Sequence, residues 1–185
     1  MSPADDYRPR LRSNGGMTTT EPHIDDRPAV PFVGTTTGVT TSTFAEIADR
    51  LPTLIGALIS RGITPTGAPF FRYLDIRGDS MTVQVGAPTP AGAELPDGAL
   101  DFEVRSATLP AGRYVCLTHL GPFDGLWGAT ERLLRWADGQ GLSFDMARVD
   151  GVERWAARLE IYRTDPRLES DPSRFETELA FRLAD

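Results

Sequence analysis

F-A-E-I-A-D-R-L-P-T-L-I-G-A-L-I-S-R-G-I (residues 44–63) and F-D-G-L-W-G-A-T-E-R-L-L-R-W-A-D-G-Q-G-L (residues 123–142) are the two stretches that decide the fold. Phe123 follows Phe44 by 79 positions, and at that offset Ile47 meets Leu126, Leu54 meets Leu133 and Ile55 meets Leu134. Gly62-Ile63 then meets Gly141-Leu142. A period this long, seen only twice, is too long for a solenoid and predicts a duplicated supersecondary unit. Two like units packed about a pseudo-twofold axis leave a seam between them, and such seams are common places for ligand pockets.

Each stretch sits in the same order of elements. A-V-P-F-V-G-T-T-T-G-V-T (29–40) is rich in Val and Thr and reads as a strand. Ser42 or Thr43 then caps a helix with Glu46 near its first turn. Its apolar face is Phe44, Ile47, Leu51, Leu54, Ile55 and Leu58. Pro52 breaks the helical rule and marks either a kink or a late restart. Gly62 closes the helix. A-P-F-F-R-Y-L-D-I (68–76) and S-M-T-V-Q-V-G (80–86) read as strands joined by a turn at R-G-D.

In the second unit, L-D-F-E-V-R-S-A-T-L (100–109) precedes R-Y-V-C-L-T-H-L (113–120), the counterpart of the first strand. After the helix, residues 143–154 read as a polar connection, and 156–165 and 175–183 as two more strands. The expected fold is α+β, with duplicated strand–helix–strand–strand units, an antiparallel sheet, two helices on one face and a ligand pocket at the pseudo-twofold seam. Residues 1–27 have hardly an apolar side chain and are expected to be a disordered tail, with Met17 a possible true start. The domain then covers 28–185: repeat one at 28–88, a Pro/Gly-rich linker at 89–99 and repeat two at 100–185.

The composition narrows the function classes. The chain has 185 residues, is 40% apolar, and carries a net charge of −7 with a pI near 4.9. A real core is expected, and the acidity argues against direct nucleic-acid binding. All 19 basic residues are Arg, so Schiff-base chemistry on lysine is excluded. The single cysteine, Cys116, excludes an internal disulfide and lies in an apolar run that suits an inert thiol. With His23 and His119 the only histidines, no metal site is expected, and no cofactor motif occurs. No stretch approaches ~20 apolar residues and the N-terminus has no apolar signal core, so the expectation is a cytoplasmic protein without a membrane partner.

Strand alternation puts Glu160 and Tyr162 on one face. Matching Tyr162 to Tyr73 places Glu160 where the first repeat has Phe71. Facing the seam, these residues would make an aromatic pocket with one acid, suited to a flat lipophilic cation. Spacing alone favours the plainer alternative, a solvent-facing glutamate paired with an arginine. Trp127 matches Ala48, one step round from the apolar position, and either packs in the core or leans toward the seam. Trp155 opens the strand that carries Glu160 and reads as core or as pocket rim. His119, in T-H-L-G-P-F just before Phe123, reads more simply as a turn histidine than as a catalytic one.

L-P-A-G-R-Y-V-C-L-T-H-L-G-P-F (109–123), the helix end L-L-R-W-A-D-G-Q-G-L (133–142) and L-E-I-Y-R-T-D-P (159–166) together resemble the gyrase-inhibitor-like (GyrI-like) small-molecule-binding family. The resemblance covers about 28–185 and is strongest over 109–166. It implies the same paired units, with Glu160 as the pocket acid among Tyr162, Phe71, Tyr73, Trp127, Trp155, Phe123 and His119. It implies a standalone binding protein for hydrophobic, often cationic aromatic molecules. Two alternatives come with the family: hydrolysis of cyclopropane-bearing electrophiles, with Glu160 as the catalytic residue, and modulation of DNA gyrase as a protein-interaction module. No helix-turn-helix precedes residue 28, so a fused DNA-binding regulator is not expected.

Overall fold

The computed structural model describes residues 19–185. The strands are β1 (His23–Arg27), β2 (Val30–Thr40), β3 (Phe70–Arg77), β4 (Ser80–Pro88), β5 (Arg105–Leu109), β6 (Gly112–Leu120), β7 (Met146–Val149), β8 (Val152–Tyr162) and β9 (Glu176–Arg182). The helices are α1 (Phe44–Ala48), α2 (Arg50–Ser60) and α3 (Leu126–Gly139). All strands join one antiparallel sheet in the order β1-β6-β9-β8-β3-β4-β2-β5, with β7 paired to β8. No helix among the described residues is long and apolar enough to cross a membrane.

The duplicated stretches become the two helical arms. Leu54 and Leu133 are both fully buried, as is Ile47, and Leu126 is nearly so. Gly62 and Gly141 both end their arms at positive φ, 75° and 67°, a conformation in which glycine has no Cβ penalty. Pro52 marks a restart, since the first arm breaks at Asp49 and α2 begins at Arg50. Pro52 thus falls in the first turn of α2, where its missing N–H costs no helical hydrogen bond. The first arm packs on β2 and β4 through Val33, Ala87, Leu54 and Leu58, and α3 packs on β6 and β9 through Val115, Leu117, Leu133 and Leu179. Both arms lie on the same face of the sheet, and β3 and β8 run between them.

The other face closes on itself. Only Pro110 and Ala111 join β5, at one end of the strand order, to β6, next to the other end. The sheet therefore curls into a half-barrel around Phe32, Phe70, Leu109, Tyr114, Cys116 and Leu159. Phe32 and Phe70 meet edge to face at 5.0 Å. They fit because Gly86 lies beside them: a Cβ there would come within 2.8 Å of the Phe32 ring and 2.9 Å of Phe70. Cys116 is buried in this interior, and burial pushes its thiol up to about 12.

Three local expectations change. Residues 23–27, expected within a disordered tail, form β1 against β6, and Thr20 already bonds to Thr118 on both its backbone and its hydroxyl. Residues 1–18 of that expected tail lie outside the described residues. The sequence H-I-D-D-R reads as solvated because an edge strand is held by its backbone ladder and protected by charged side chains. Residues 143–154 contain β7 and a tight hairpin at Asp150-Gly151, both at positive φ. Asp-Gly is the turn pair that such hairpins prefer. Finally, Leu95 in the expected linker is buried against α2, with Leu100 and Val104 beside it.

Candidate ligand-binding site

The register of β3 against β8 builds the site. Phe71 lies directly opposite Glu160, and Tyr73 opposite Arg158. Since the repeat equates Phe71 with Glu160 and Tyr73 with Tyr162, the pseudo-twofold axis passes between Phe71 and Glu160. The two tyrosines then stand on either side of that axis. Tyr162 donates its hydroxyl to Glu160 Oε2 at 2.9 Å, and the Tyr73 hydroxyl lies against the same carboxylate. Burial raises the Glu160 carboxyl above the ordinary 4.5, while the tyrosine hydroxyls and the Arg158 charge pull it part of the way back. Burial likewise drives both tyrosines well above their ordinary value, with the neighbouring Glu160 charge adding to it, so they remain neutral donors.

A ring from each arm closes over each tyrosine. Phe44, which opens the first repeat stretch, stacks on Tyr73 at 6.2 Å and touches Phe71 at 5.2 Å. Phe123, which opens the second, meets Tyr162 edge-on at 5.5 Å and Phe175 at 5.1 Å. Phe71 and Tyr162 close the set at 5.1 Å. The result is one carboxyl within a run of six aromatic rings. Tyr73, Arg158, Glu160 and Tyr162 each keep part of their surface accessible, whereas Phe71 beside them is buried. A separate open cleft, bounded by Gly38, Asp75, Thr82 and Arg154, lies at the other end of these strands and includes none of the six rings.

Of the sequence-derived candidates, the structure brings Glu160, Tyr162, Phe71, Tyr73 and Phe123 together. It places Trp127 on the outer surface of α3, 74% exposed, one turn beyond Phe123. Trp155 is buried against Phe144 and Phe181 and reaches the site only across Arg158. His119 is not a turn residue but lies on β6, buried, and its ring reaches the turn before α3, with Nε2 at 3.0 Å from the Pro122 carbonyl and Nδ1 at 3.4 Å from the Thr19 hydroxyl. Its ring fills the space over Gly125, where a Cβ would come within 2.4 Å. Gly125→Ala is therefore expected to displace His119 and destabilise the protein by about 1–3 kcal/mol, as overpacking does. Thermal denaturation checks this, and an unchanged midpoint would show that the turn yields freely.

Sequence reasoning passed over Phe44, Phe175 and Arg158. The signal for Phe44 was present, since it is the repeat partner of Phe123. Asp25, Cys116 and Glu178 form a second polar cluster, with donor atoms within 4.8 Å of one another. One Arg27 nitrogen contacts all three: it donates to Glu178 and, at 3.1 Å, to Cys116, and stands 3.6 Å from Asp25.

The model of the GyrI-like small molecule binding domain matches residues 20–184. No curated protein matches the chain. Among solved structures, the EcmrR C-terminal domain superposes with a TM-score of 0.70 at 17% identity, covering 89% of this chain and 98% of that one. The EcmrR chain in its complex with DNA gives 0.67 at 18% identity, and here the match covers 89% of this chain but only 57% of that longer one. SAV2435 bound to tetraphenylphosphonium gives 0.60 at 10% identity, covering 89% and 94%. A hydrolase from Listeria innocua gives 0.60 at 14% identity, covering 89% and 92%. At these identities the likeness concerns the fold.

Proposed function

The chain belongs to the GyrI-like small molecule binding domain family, and on that premise we propose that it binds lipophilic aromatic compounds carrying a positive charge, with Glu160 as the counter-charge. The observation that carries the reading is Glu160 itself: a partly buried carboxyl on the seam axis, fixed by tyrosine hydroxyls and ringed by aromatics. Rings pack against the aromatic groups of such a cation and the carboxylate balances its charge in a medium of low dielectric. A fold neighbour that holds tetraphenylphosphonium supports the choice of probe.

Calorimetric titration tests it. Tetraphenylphosphonium is expected to bind with a Kd of roughly micromolar order, about 8 kcal/mol. Uncharged triphenylphosphine oxide is expected to bind at least about tenfold more weakly. Because tetraphenylphosphonium does not titrate, its affinity should also fall as pH is lowered through the raised Glu160 value, where the carboxyl becomes neutral. Equal affinity for the two compounds, with no pH dependence, would remove charge from the reading.

A second reading draws on the same carboxyl. Its upward shift moves it toward the range in which a general base is effective, and one fold neighbour is a hydrolase. In that case Glu160 would activate water against an electrophilic small molecule, for instance a cyclopropane-bearing alkylator. Mass spectrometry of such a compound after incubation, against a no-protein control, separates turnover from binding.

A further inference from the structure

Arg158 helps hold Glu160 ionised through its charge, but this function leaves its N–H donors unused. It stands two positions before Glu160 on β8, on the same face, opposite Tyr73. Its guanidinium lies over three rings, at 5.6 Å from the centroid of Tyr73, 5.2 Å from Trp155 and 5.0 Å from Phe181. Among the described residues it has no ion pair and no hydrogen bond. The two carboxylates that act on it electrostatically, Glu160 and Glu153, are engaged elsewhere. Glu160 accepts from Tyr162, and Glu153 accepts from Arg148 and from the Trp155 indole.

This arrangement is unusual in chemical terms. A guanidinium carries five N–H donors in a planar fork, matched to a carboxylate or another planar anion. Ring stacking satisfies its faces and leaves the fork unserved. Arg158 is also only partly buried and lies on the same face of β8 as Glu160. Two residues of strand separate the charges, roughly 7 Å at the usual rise. A simple cation drawn to Glu160 is thus repelled by Arg158, while a molecule with an anionic group at that spacing gains from both.

We propose that the seam selects zwitterionic aromatic ligands, whose positive end meets Glu160 and whose carboxylate is forked by Arg158. This rests on Glu160 acting as the counter-charge.

Two dyes separate the ideas. Rhodamine 110 and rhodamine 123 share one cationic ring system, and the first carries a free carboxylate where the second carries its methyl ester. In fluorescence-anisotropy titrations at pH 7, rhodamine 110 is expected to bind about tenfold more tightly, the scale of a charge-assisted hydrogen bond. Arg158→Met should remove that preference, and Arg158→Lys, which keeps the charge and loses the fork, should reduce it to a few-fold. Equal binding of both dyes to the unaltered protein overturns the proposal while leaving Glu160 as the counter-charge. Binding of neither dye overturns both. A preference that survives in Arg158→Lys and Arg158→Met at full strength also overturns it. Should Arg158→Met fail to fold, the comparison in the unaltered protein and in Arg158→Lys still decides.

Discussion

A chain that begins at Pro28 will melt about 10 °C below one that begins at Thr19. Its loss starts with β1, whose five residues pair with His23 opposite Cys116 and Arg27 opposite Gly112. With β1 gone, β6 becomes a bare edge. The larger cost is Arg27. It donates to Glu178, a carboxylate only 3% exposed, and lies over the Tyr114 ring at 5.6 Å. Arg163 still donates to Glu178, but it is itself substantially exposed and holds only the other oxygen. Breaking one side of a buried ion pair costs about 3–5 kcal/mol. For a chain of this size each kcal/mol moves the midpoint by about 2–4 °C. Differential scanning calorimetry on the two chains makes the comparison, and Arg27→Met in the longer chain separates the ion pair from the strand. Midpoints within about 2 °C of each other would mean that the N-terminal strand adds nothing to the domain.

Glu160→Gln is expected to weaken tetraphenylphosphonium binding by about 1–3 kcal/mol, roughly fivefold to 150-fold. The swap keeps the shape, removes the charge and exchanges one acceptor oxygen for an NH2 donor. Stability should move the other way. Burial raises the folded-state value of Glu160 above the ordinary 4.5. Between the unfolded and folded values the native state holds the extra proton, so this group's contribution is complete below the unfolded value and is lost as pH rises through the folded one. Glutamine has nothing to lose. The stability of Glu160→Gln relative to the unaltered protein should therefore grow with pH across that window and level off above it. Urea melts at several pH values measure this directly. If the protein is a hydrolase, the same substitution should cut turnover by ~10²–10⁴-fold and change binding much less. A variant that matches the original in affinity, turnover and pH profile would make Glu160 a bystander.

Most of the helix-face architecture was legible because it depends on side chains at helical spacing. Phe44, Ile47, Leu54 and Leu58 mark a buried stripe whatever they pack against, and the second copy of the stripe doubles the signal. What was not legible depends on backbone partners. H-I-D-D-R in β1 and M-A-R-V in β7 carry no alternating apolar pattern, since each is held by the strand beside it. The candidate site divides in the same way. Matching Tyr73 with Tyr162 pointed to Glu160, because that pairing uses sequence alone. Arg158 escaped notice because its role depends on which carboxylates are already engaged, and that follows from the fold. Trp127 shows the converse: its size drew attention, while its exposure is set by how α3 turns.

A residue on a twofold axis faces its own copy. Were the two halves identical, the pair at the centre of β3 and β8 would be two phenylalanines or two glutamates. The first leaves no charge to recognise. The second sets two acids side by side, where they must share a proton. A dimer of identical half-sized chains has only these two options. Joining the halves in one chain removes the restriction, because positions 71 and 160 can then differ while the surrounding tyrosines stay matched. A lone carboxyl at the centre, with an aromatic ring rather than a second acid across from it, is available only to a symmetric frame whose two copies are free to diverge.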